Sequence, residues 1–316
     1  MSTGAIADLV SVVVAVGADD ELSEATLAAW AAQREAGDYE VVLAMPATAT
    51  ASRDGLLRAP PWKAPFRIVQ TAHERSAALR NAGVLASRGG TVVLAASDCR
   101  PAATVVAAHR RFQSLLAFPA AGIGPVFHAG ALRDSPFSAW LQDGGRRFGP
   151  SFPHAALEWR GNPFHAANTS IARTVYDKVG GFDEGLDGDA MDGVAFAARL
   201  ADLGVRTRYV PRAMTWQDRD VTERETLRHA WRLGGAARFR ETTGAGPWPW
   251  NALVQQTLER PEAAASHGDL PMAANAPGAR KRRHARLALA FVRGWHDAAF
   301  ESDDPSVSRA AEGPRA

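Results

Sequence analysis

The sequence predicts a mixed α/β fold: a mostly parallel sheet flanked by helices and followed by a C-terminal helical extension. Three observations predict it. Residues 9–16 (LVSVVVAV), 39–45 (YEVVLAM) and 92–96 (VVLAA) are short, continuous apolar runs, as expected of strands buried on both faces. The stretches between them carry helical spacing or helix-forming composition. Strand–helix–strand alternation at these lengths builds βαβ units, whose strands run parallel.

Taken in order, the first strand (9–16) is closed by the turn Gly17-Ala-Asp-Asp20, and residues 22–34 follow as a helix with Leu22, Thr26, Trp30 and Gln33 at helical spacing. Residues 39–45 form the second strand, 46–65 a Pro-rich loop, 66–70 the third strand and 73–87 an alanine-rich helix. The strand at 92–96 is bounded by Gly89-Gly90. It delivers one carboxylate, Asp98, to its C-terminal end, and Pro101 stands where the next helix starts, running to about residue 116. Ligands of open α/β sheets bind outside the carboxyl ends of the strands, so Asp98 stands where chemistry is done.

A strand follows at 122–127. Residues 130–163, with Trp140, Trp159 and several prolines, read as irregular, and loops of that length are functional or disordered. Ala167-Asn-Thr-Ser-Ile-Ala-Arg173 leads into a short helix and then Val179-Gly-Gly-Phe-Asp183. Residues 189–203 form an amphipathic helix, 205–210 a strand and 222–241 a helix. Residues 242–278, rich in Gly, Pro and Ala, read as a loosely ordered connection with one helix at 251–259. Residues 280–300 form a basic amphipathic helix with Leu287, Phe291, Trp295 and Ala298 on one stripe and Arg282, Arg286, Arg293 and His296 mostly opposite. The expected division is a catalytic-type domain at 1–221, a helical extension at 222–300 and a disordered tail at 301–316.

Composition narrows the function classes. The 316 residues hold 46% hydrophobic and 22% charged side chains, ordinary for a globular protein, and a net charge of +2 argues against an electrostatic nucleic-acid binder. The single cysteine, Cys99, excludes an internal disulfide and a cysteine-rich zinc site, and fits a reducing cytoplasm. Met1 to Leu9 carries Asp8 and no basic segment, so no signal peptide is expected. No run reaches the roughly 18 apolar residues of a membrane span. The expectation is a cytoplasmic protein whose basic helix at 280–300 either packs on the domain or rests on the inner membrane face.

Three blocks carry a resemblance. They are the strand–helix–strand of residues 9–45; Ala78-Leu-Arg80-Asn81-Ala-Gly83 followed by Ser97-Asp98-Cys-Arg-Pro101; and Ala167-Asn-Thr-Ser-Ile-Ala-Arg173 with Val179-Gly-Gly-Phe-Asp-Glu184, Asp192, Arg199-Leu200 and Tyr209-Val-Pro211. In this order, over about residues 9–217, the chain resembles the family 2 glycosyltransferases of the GT-A fold. That resemblance implies a Rossmann-like nucleotide half joined to an acceptor half. It implies a nucleotide-diphospho-sugar donor, a divalent metal (Mn²⁺ or Mg²⁺) on the diphosphate, and hexosyl transfer with inversion to an acceptor hydroxyl on a glycan, lipid-linked or small molecule.

Carried onto this sequence, the resemblance makes Asp98 the metal and diphosphate ligand, with Ser97 assisting where Ala96 interrupts the usual acidic run. Gln217 stands where a histidine ligand is common. Arg80 and Asn81 become nucleotide contacts. Asp192 becomes the general base, its usual acidic neighbour replaced by Gly193, and an alcohol nucleophile needs such a base. Asn168, Phe182 and Asp183 fall on the acceptor side. Plainer readings stand beside these: a turn aspartate at 98, a first-turn helix residue at 192, a helix-face charge and cap at 80 and 81, a turn asparagine at 168, and a helix stop at Gly180-Gly181. The interrupted acidic run also fits a glycosyltransferase-like binding or scaffold protein. A nucleotidyltransferase is the third reading, but Gly17-Ala-Asp-Asp20 is acidic where that class carries a Gly-rich basic signature.

Overall fold

The computed structural model describes residues 6–18, 20, 22–49, 66–129, 164–185, 189–219 and 221–243, together with 286, 287, 289, 290, 293, 294 and 297. The expected loop at 130–163, most of the loop at 46–65, the helix at 251–259, the tail, and Trp140, Trp159, Trp248, Trp250 and His154 lie outside the described residues. The chain divides into two compact units, Met1–Asp220 and Val221–Ala316.

In the first unit the strands are β1 (Ile6–Ala15), β2 (Tyr39–Pro46), β3 (Phe66–Thr71), β4 (Gly89–Ala96), β5 (Cys99–Pro101), β6 (Ala120–Ile123), β7 (Val126–His128), β8 (Asn168–Ala172), β9 (Arg206–Tyr209) and β10 (Thr215–Gln217). The helices are α1 (Glu24–Ala31), α2 (Ser76–Ala86), α3 (Val105–Ser114), α4 (Arg173–Val179) and α5 (Asp189–Asp202). Among the described residues, seven strands form one sheet in the order β3-β2-β1-β4-β8-β6-β9, and β5-β10-β7 form a small second sheet. In the seven-stranded sheet β1 pairs in parallel with β2 and β4, β2 with β3, and β6 with β9, while β8 runs antiparallel between β4 and β6. The sheet is therefore mostly parallel, as expected.

The valine run of β1 explains itself through burial. Val10, Val12 and Val14 face one side with Leu27, Trp30, Val105 and Val106, while Val13 faces the other with Val84, Leu94, Phe196 and Leu200. Successive strand residues point to opposite faces, so a strand covered on both sides has no place for alternation. Local signals start and stop the helices. Ser23 caps α1 by accepting from the Thr26 amide at 3.1 Å. α4 ends on Gly180, in the left-handed region at φ 82°, followed by Gly181 at φ 75°. Gly83 lets α2 settle on the sheet: a Cβ there would lie 2.5 Å from Val13 Cγ1.

Three expectations are corrected. Pro101 does not open a helix; it ends β5, and α3 begins at Val105, because Cys99–Pro101 pairs with β10 first. The single strand expected at 122–127 is two strands, β6 and β7, which belong to different sheets. Residues 168–172 form β8 rather than a simple lead into a helix, since that segment fills the slot between β4 and β6.

In the second unit α6 (Glu223–Thr243) is a long helix. Arg286 bonds Glu223 at 2.7 Å, Asp297 accepts from Trp231 Nε1 at 2.8 Å, and Gly294 abuts the Trp231 carbonyl. At these positions the basic segment packs on α6, and Arg286, expected on the polar face, is held by Glu223. Among the described residues no helix is long and apolar enough to cross a membrane.

Candidate functional site

The order β3-β2-β1-β4 reverses direction between β1 and β4, so the carboxyl ends of these two strands border a topological switch point, where ligands of open sheets bind. Two short segments meet there. From β1 comes the turn Gly17–Asp20, and from β4 comes Ser97-Asp98. Ser97 Oγ donates to Asp20 Oδ2 at 3.0 Å, and the same oxygen accepts the Gly17 amide at 2.8 Å. Asp20 thus places a second carboxylate at the mouth, although Ala96 leaves β4 with only Asp98.

Asp98 is held from the small sheet. Because β10 runs antiparallel to β5 with Gln217 opposite Cys99, the residues after Gln217 pass alongside Asp98. The Asp218 amide donates to the Asp98 carbonyl at 3.0 Å. Gln217 Nε2 donates to Asp98 Oδ2 at 2.7 Å, and Arg219 Nε lies 3.3 Å from that oxygen. Cys99 Sγ is 3.5 Å from the other oxygen, Oδ1. Beside this pair Arg100 grips Asp218 through Nε at 2.9 Å and Nη2 at 3.2 Å, and that bonding raises the Arg100 pKa. Gln217 and His128 sit in register across β10 and β7 and are both buried. Among the described residues no group of three or more His, Cys, Asp or Glu could hold a metal ion.

The second carboxylate expected to act, Asp192, stands on α5 at a different place. It is 1% exposed, and its Oδ2 accepts from Arg80 Nη1 at 2.7 Å and from Ser76 Oγ at 3.2 Å. Arg80 also lies over the Phe182 ring at 5.3 Å. Arg80 therefore bridges Asp192 and Phe182. Asn81 has both amide ends engaged: Oδ1 accepts from the Phe182 amide at 2.8 Å and the Tyr176 hydroxyl at 2.7 Å, while Nδ2 donates to the Phe182 carbonyl at 2.9 Å and Glu184 Oε1 at 2.7 Å. Arg199 reaches back to the Gly181 carbonyl at 2.8 Å. The Arg-Asn, Gly-Gly-Phe-Asp and Arg-Leu segments are thus one interlocked turn.

Asn168 and Phe182 lie inside. Asn168 is 1% exposed; its Oδ1 meets His109 Nε2 at 2.9 Å and its Nδ2 donates to the Ala213 carbonyl at 2.6 Å. Phe182 is 3% exposed and stacks on Phe196 at 4.4 Å between centroids. A buried asparagine in the sheet needs all its partners from protein, and His109 and two carbonyls supply them. Asp183, by contrast, is exposed and turns onto the Gly185 amide at 2.9 Å. Burial pushes the His109 and His165 imidazoles down to about 4.

Sequence reasoning missed Asp20, Arg100 and Arg219. Asp20 carried the same signal as Asp98, a carboxylate just past an apolar strand. The two arginines carried none, because nothing local says that a strand at 215–217 returns beside residue 98.

No family model matches the chain, and no curated protein does. Among solved structures, the chain is similar to mannosyltransferase PcManGT from Pyrobaculum calidifontis, determined in complex with GDP-Man and Mn²⁺, at a TM-score of 0.56 and 19% identity over 92% of this chain and 87% of that one. TarS 1-349 of S. aureus, in complex with UDP-GlcNAc, aligns at a TM-score of 0.48 and 12% identity over 93% of this chain and 91% of that one. With its switch point between β1 and β4 and its antiparallel insertion at β8, the chain has a GT-A-like α/β fold, similar to that of the mannosyltransferase.

Proposed function

We propose that this chain transfers a hexosyl residue from a nucleotide-diphospho-sugar to an acceptor hydroxyl, with inversion. The observation that carries the reading is the switch-point mouth between β1 and β4, where Asp20, Ser97, Asp98 and Arg219 gather in a glycosyltransferase fold. The GDP-Man held by the similar mannosyltransferase lends it support. In this reading the donor diphosphate lies over the mouth at Ser97 and Asp98. The sugar's anomeric carbon faces the acceptor side, and Asp183, exposed at the end of the Gly-Gly-Phe-Asp turn, is available to acceptor hydroxyls. Asn81 acts on that turn from beneath rather than on the nucleotide.

Asp192 is the carboxylate assigned to take the acceptor proton as the hydroxyl attacks. Arg80 and Ser76 fix its Oδ2, which sets the direction in which a proton can be received.

Mn²⁺ in the similar mannosyltransferase raises the question of a metal here. The donor set beside Asp98 does not fit one. Mg²⁺ and Mn²⁺ want several oxygen ligands. Gln217 turns its N–H, not its oxygen, to Asp98, and Arg219 already puts a cation on the same carboxylate oxygen.

The test is incubation with UDP- and GDP-hexoses, scoring released nucleoside diphosphate and the anomeric configuration of the product. Release of one diphosphate with an inverted product is expected. Neither binding nor release with any donor would overturn the reading and leave a non-catalytic binding protein.

A further inference from the structure

We infer that Asn168, its amide oriented by His109, is a positioning residue of the switch-point mouth: it fastens the small sheet β5-β10-β7 to the end of β4 and so fixes where Asp98 and Gln217 stand. The inference deepens the nucleotide-sugar reading above, on which its functional arm rests, by naming what holds the mouth from beneath.

Asn168 opens β8 opposite Ala95, near the end of β4. Its backbone belongs to the large sheet, and its carbonyl accepts the Gly124 amide at 2.9 Å. Its side chain leaves that sheet. Nδ2 donates to the Ala213 carbonyl at 2.6 Å and lies 3.3 Å from the Pro125 carbonyl. Those carbonyls belong to the two segments that enter the small sheet, Pro125 directly before β7 and Ala213 shortly before β10. Thr215 continues the tie, its amide donating to the same Pro125 carbonyl at 3.0 Å. A Cβ at Gly124 would collide with the Ala213 carbonyl and with Asn168 Nδ2, so the segments meet here with no side chain between them. At the other end of β10, Gln217 meets Asp98 Oδ2 at 2.7 Å, in register with Cys99. The path from Asn168 to the mouth is therefore one amide and one short strand.

Only one orientation of the amide does this. Its oxygen, turned to the two carbonyls, would meet their lone pairs, whereas its nitrogen donates to them. His109 enforces that choice from the other side. Its Nε2 lies 2.9 Å from Asn168 Oδ1, and its Nδ1 lies 2.9 Å from Ser170 Oγ. Burial lowers the imidazole pKa to about 4, so the ring is neutral and carries one proton. An amide oxygen can only accept, which places that proton on Nε2 and leaves Nδ1 to accept from the Ser170 hydroxyl. Ser170 Oγ in turn accepts from Gln113 Nε2 at 3.2 Å. His109, Asn168 and Ser170 are all buried, so water offers no substitute for these partners.

The chain's one thiol reads the fastening directly, because Cys99 is 0% exposed and pairs with Gln217. Its labelling by an aromatic disulfide reagent is compared with the rate that global unfolding allows, in the full chain and in Asn168→Ala, His109→Gln and Val42→Ala. Val42, buried in β2 and outside the small sheet, serves as the destabilised control. Asn168→Ala should label Cys99 about tenfold or more faster than global unfolding permits, as local opening does. Val42→Ala should label only through unfolding. His109→Gln, which keeps an N–H within reach of Asn168, should stay near the wild type. Calorimetric titration of UDP and GDP gives the functional arm: Asn168→Ala should bind about tenfold more weakly, while Val42→Ala keeps the wild-type affinity. Labelling of Asn168→Ala no faster than its unfolding allows would overturn the inference, as would an affinity that falls equally in Val42→Ala. If Asn168→Ala does not fold, the side-chain ¹⁵N spectrum of the wild type decides. The His109 proton, assigned by its loss in His109→Gln, should lie on Nε2, and a proton on Nδ1 would overturn the inference. A wild type that binds neither nucleotide, with Cys99 labelling as expected, would overturn the nucleotide-sugar reading alone.

Discussion

Replacing Asp192 with asparagine separates two jobs that the structure gives to one side chain. The carboxylate is 1% exposed and meets Arg80, itself 14% exposed at the side chain, at 2.7 Å. Asparagine keeps the shape and the bond to Ser76 but removes the charge that meets the Arg80 guanidinium at 2.7 Å. Breaking a buried pair from one side costs about 3–5 kcal/mol, and the Phe182 ring 5.3 Å from the Arg80 guanidinium should hold the loss to the lower end of that range. For a unit of this size, about 3 kcal/mol corresponds to a fall in Tm of roughly 6–12 °C. Urea unfolding followed by circular dichroism reads the stability, and nucleotide titration with product formation reads the function. The variant should melt early, keep its nucleotide affinity and lose transfer. Arg80→Met with Asp192→Leu, which removes both charges, should recover most of the stability but none of the transfer. A stability loss below about 1 kcal/mol for Asp192→Asn would show that water reaches the pair, and unchanged turnover would end the assignment of Asp192 as base.

Acid should unfold the protein through His109 and His165. Their folded values of about 4 lie below the ordinary 6.5, so the unfolded chain takes up protons first; stability is full above about pH 6.5 and falls as the pH drops towards 4. At pH 5 the loss should be roughly 2 kcal/mol for His109 alone, and His109→Gln should flatten the pH dependence of the urea midpoint; an equal slope in that variant would refute the account. Asn81→Leu should cost about 2 kcal/mol or more by stranding the Phe182 amide and the Tyr176 hydroxyl, seen as faster hydrogen exchange across residues 180–184. Gly83→Ala gains helix propensity of about 1 kcal/mol, yet the new Cβ would lie 2.5 Å from Val13 Cγ1 and 3.1 Å from Ala44 Cβ. Net destabilisation in a denaturant titration is therefore expected, and a stabilised variant would show that α2 can lift off the sheet.

The sequence by itself determined the parallel half of the sheet. Within β1, β2 and β4 the runs 12–15, 41–45 and 92–96 are apolar without interruption, and a strand carries such a run when both its faces are covered, so composition alone announced their environment. It also determined Asp98, because a carboxylate directly after a buried strand is placed by chain direction without help from distant residues. The motif segments Arg80-Asn81, Gly180-Gly181-Phe182 and Arg199 were visible as a set. Their work was not, since the bonds that lock Asn81 to Phe182 join residues 101 apart in the chain.

Short strands such as β8 and β10 escaped as well. Three to five residues hold too little periodicity to declare themselves, and these exist because neighbouring strands offer unpaired edges. That is why Asn168 read as a cleft residue and proved interior. It is also why the partner of Asp98 could come only from tertiary structure. Arg219 lies 121 residues from Asp98 in sequence, and it reaches that carboxylate because β10 folds back along β5. Chain direction decided where the carboxylate stands; the return of a distant strand decided which cation stands beside it.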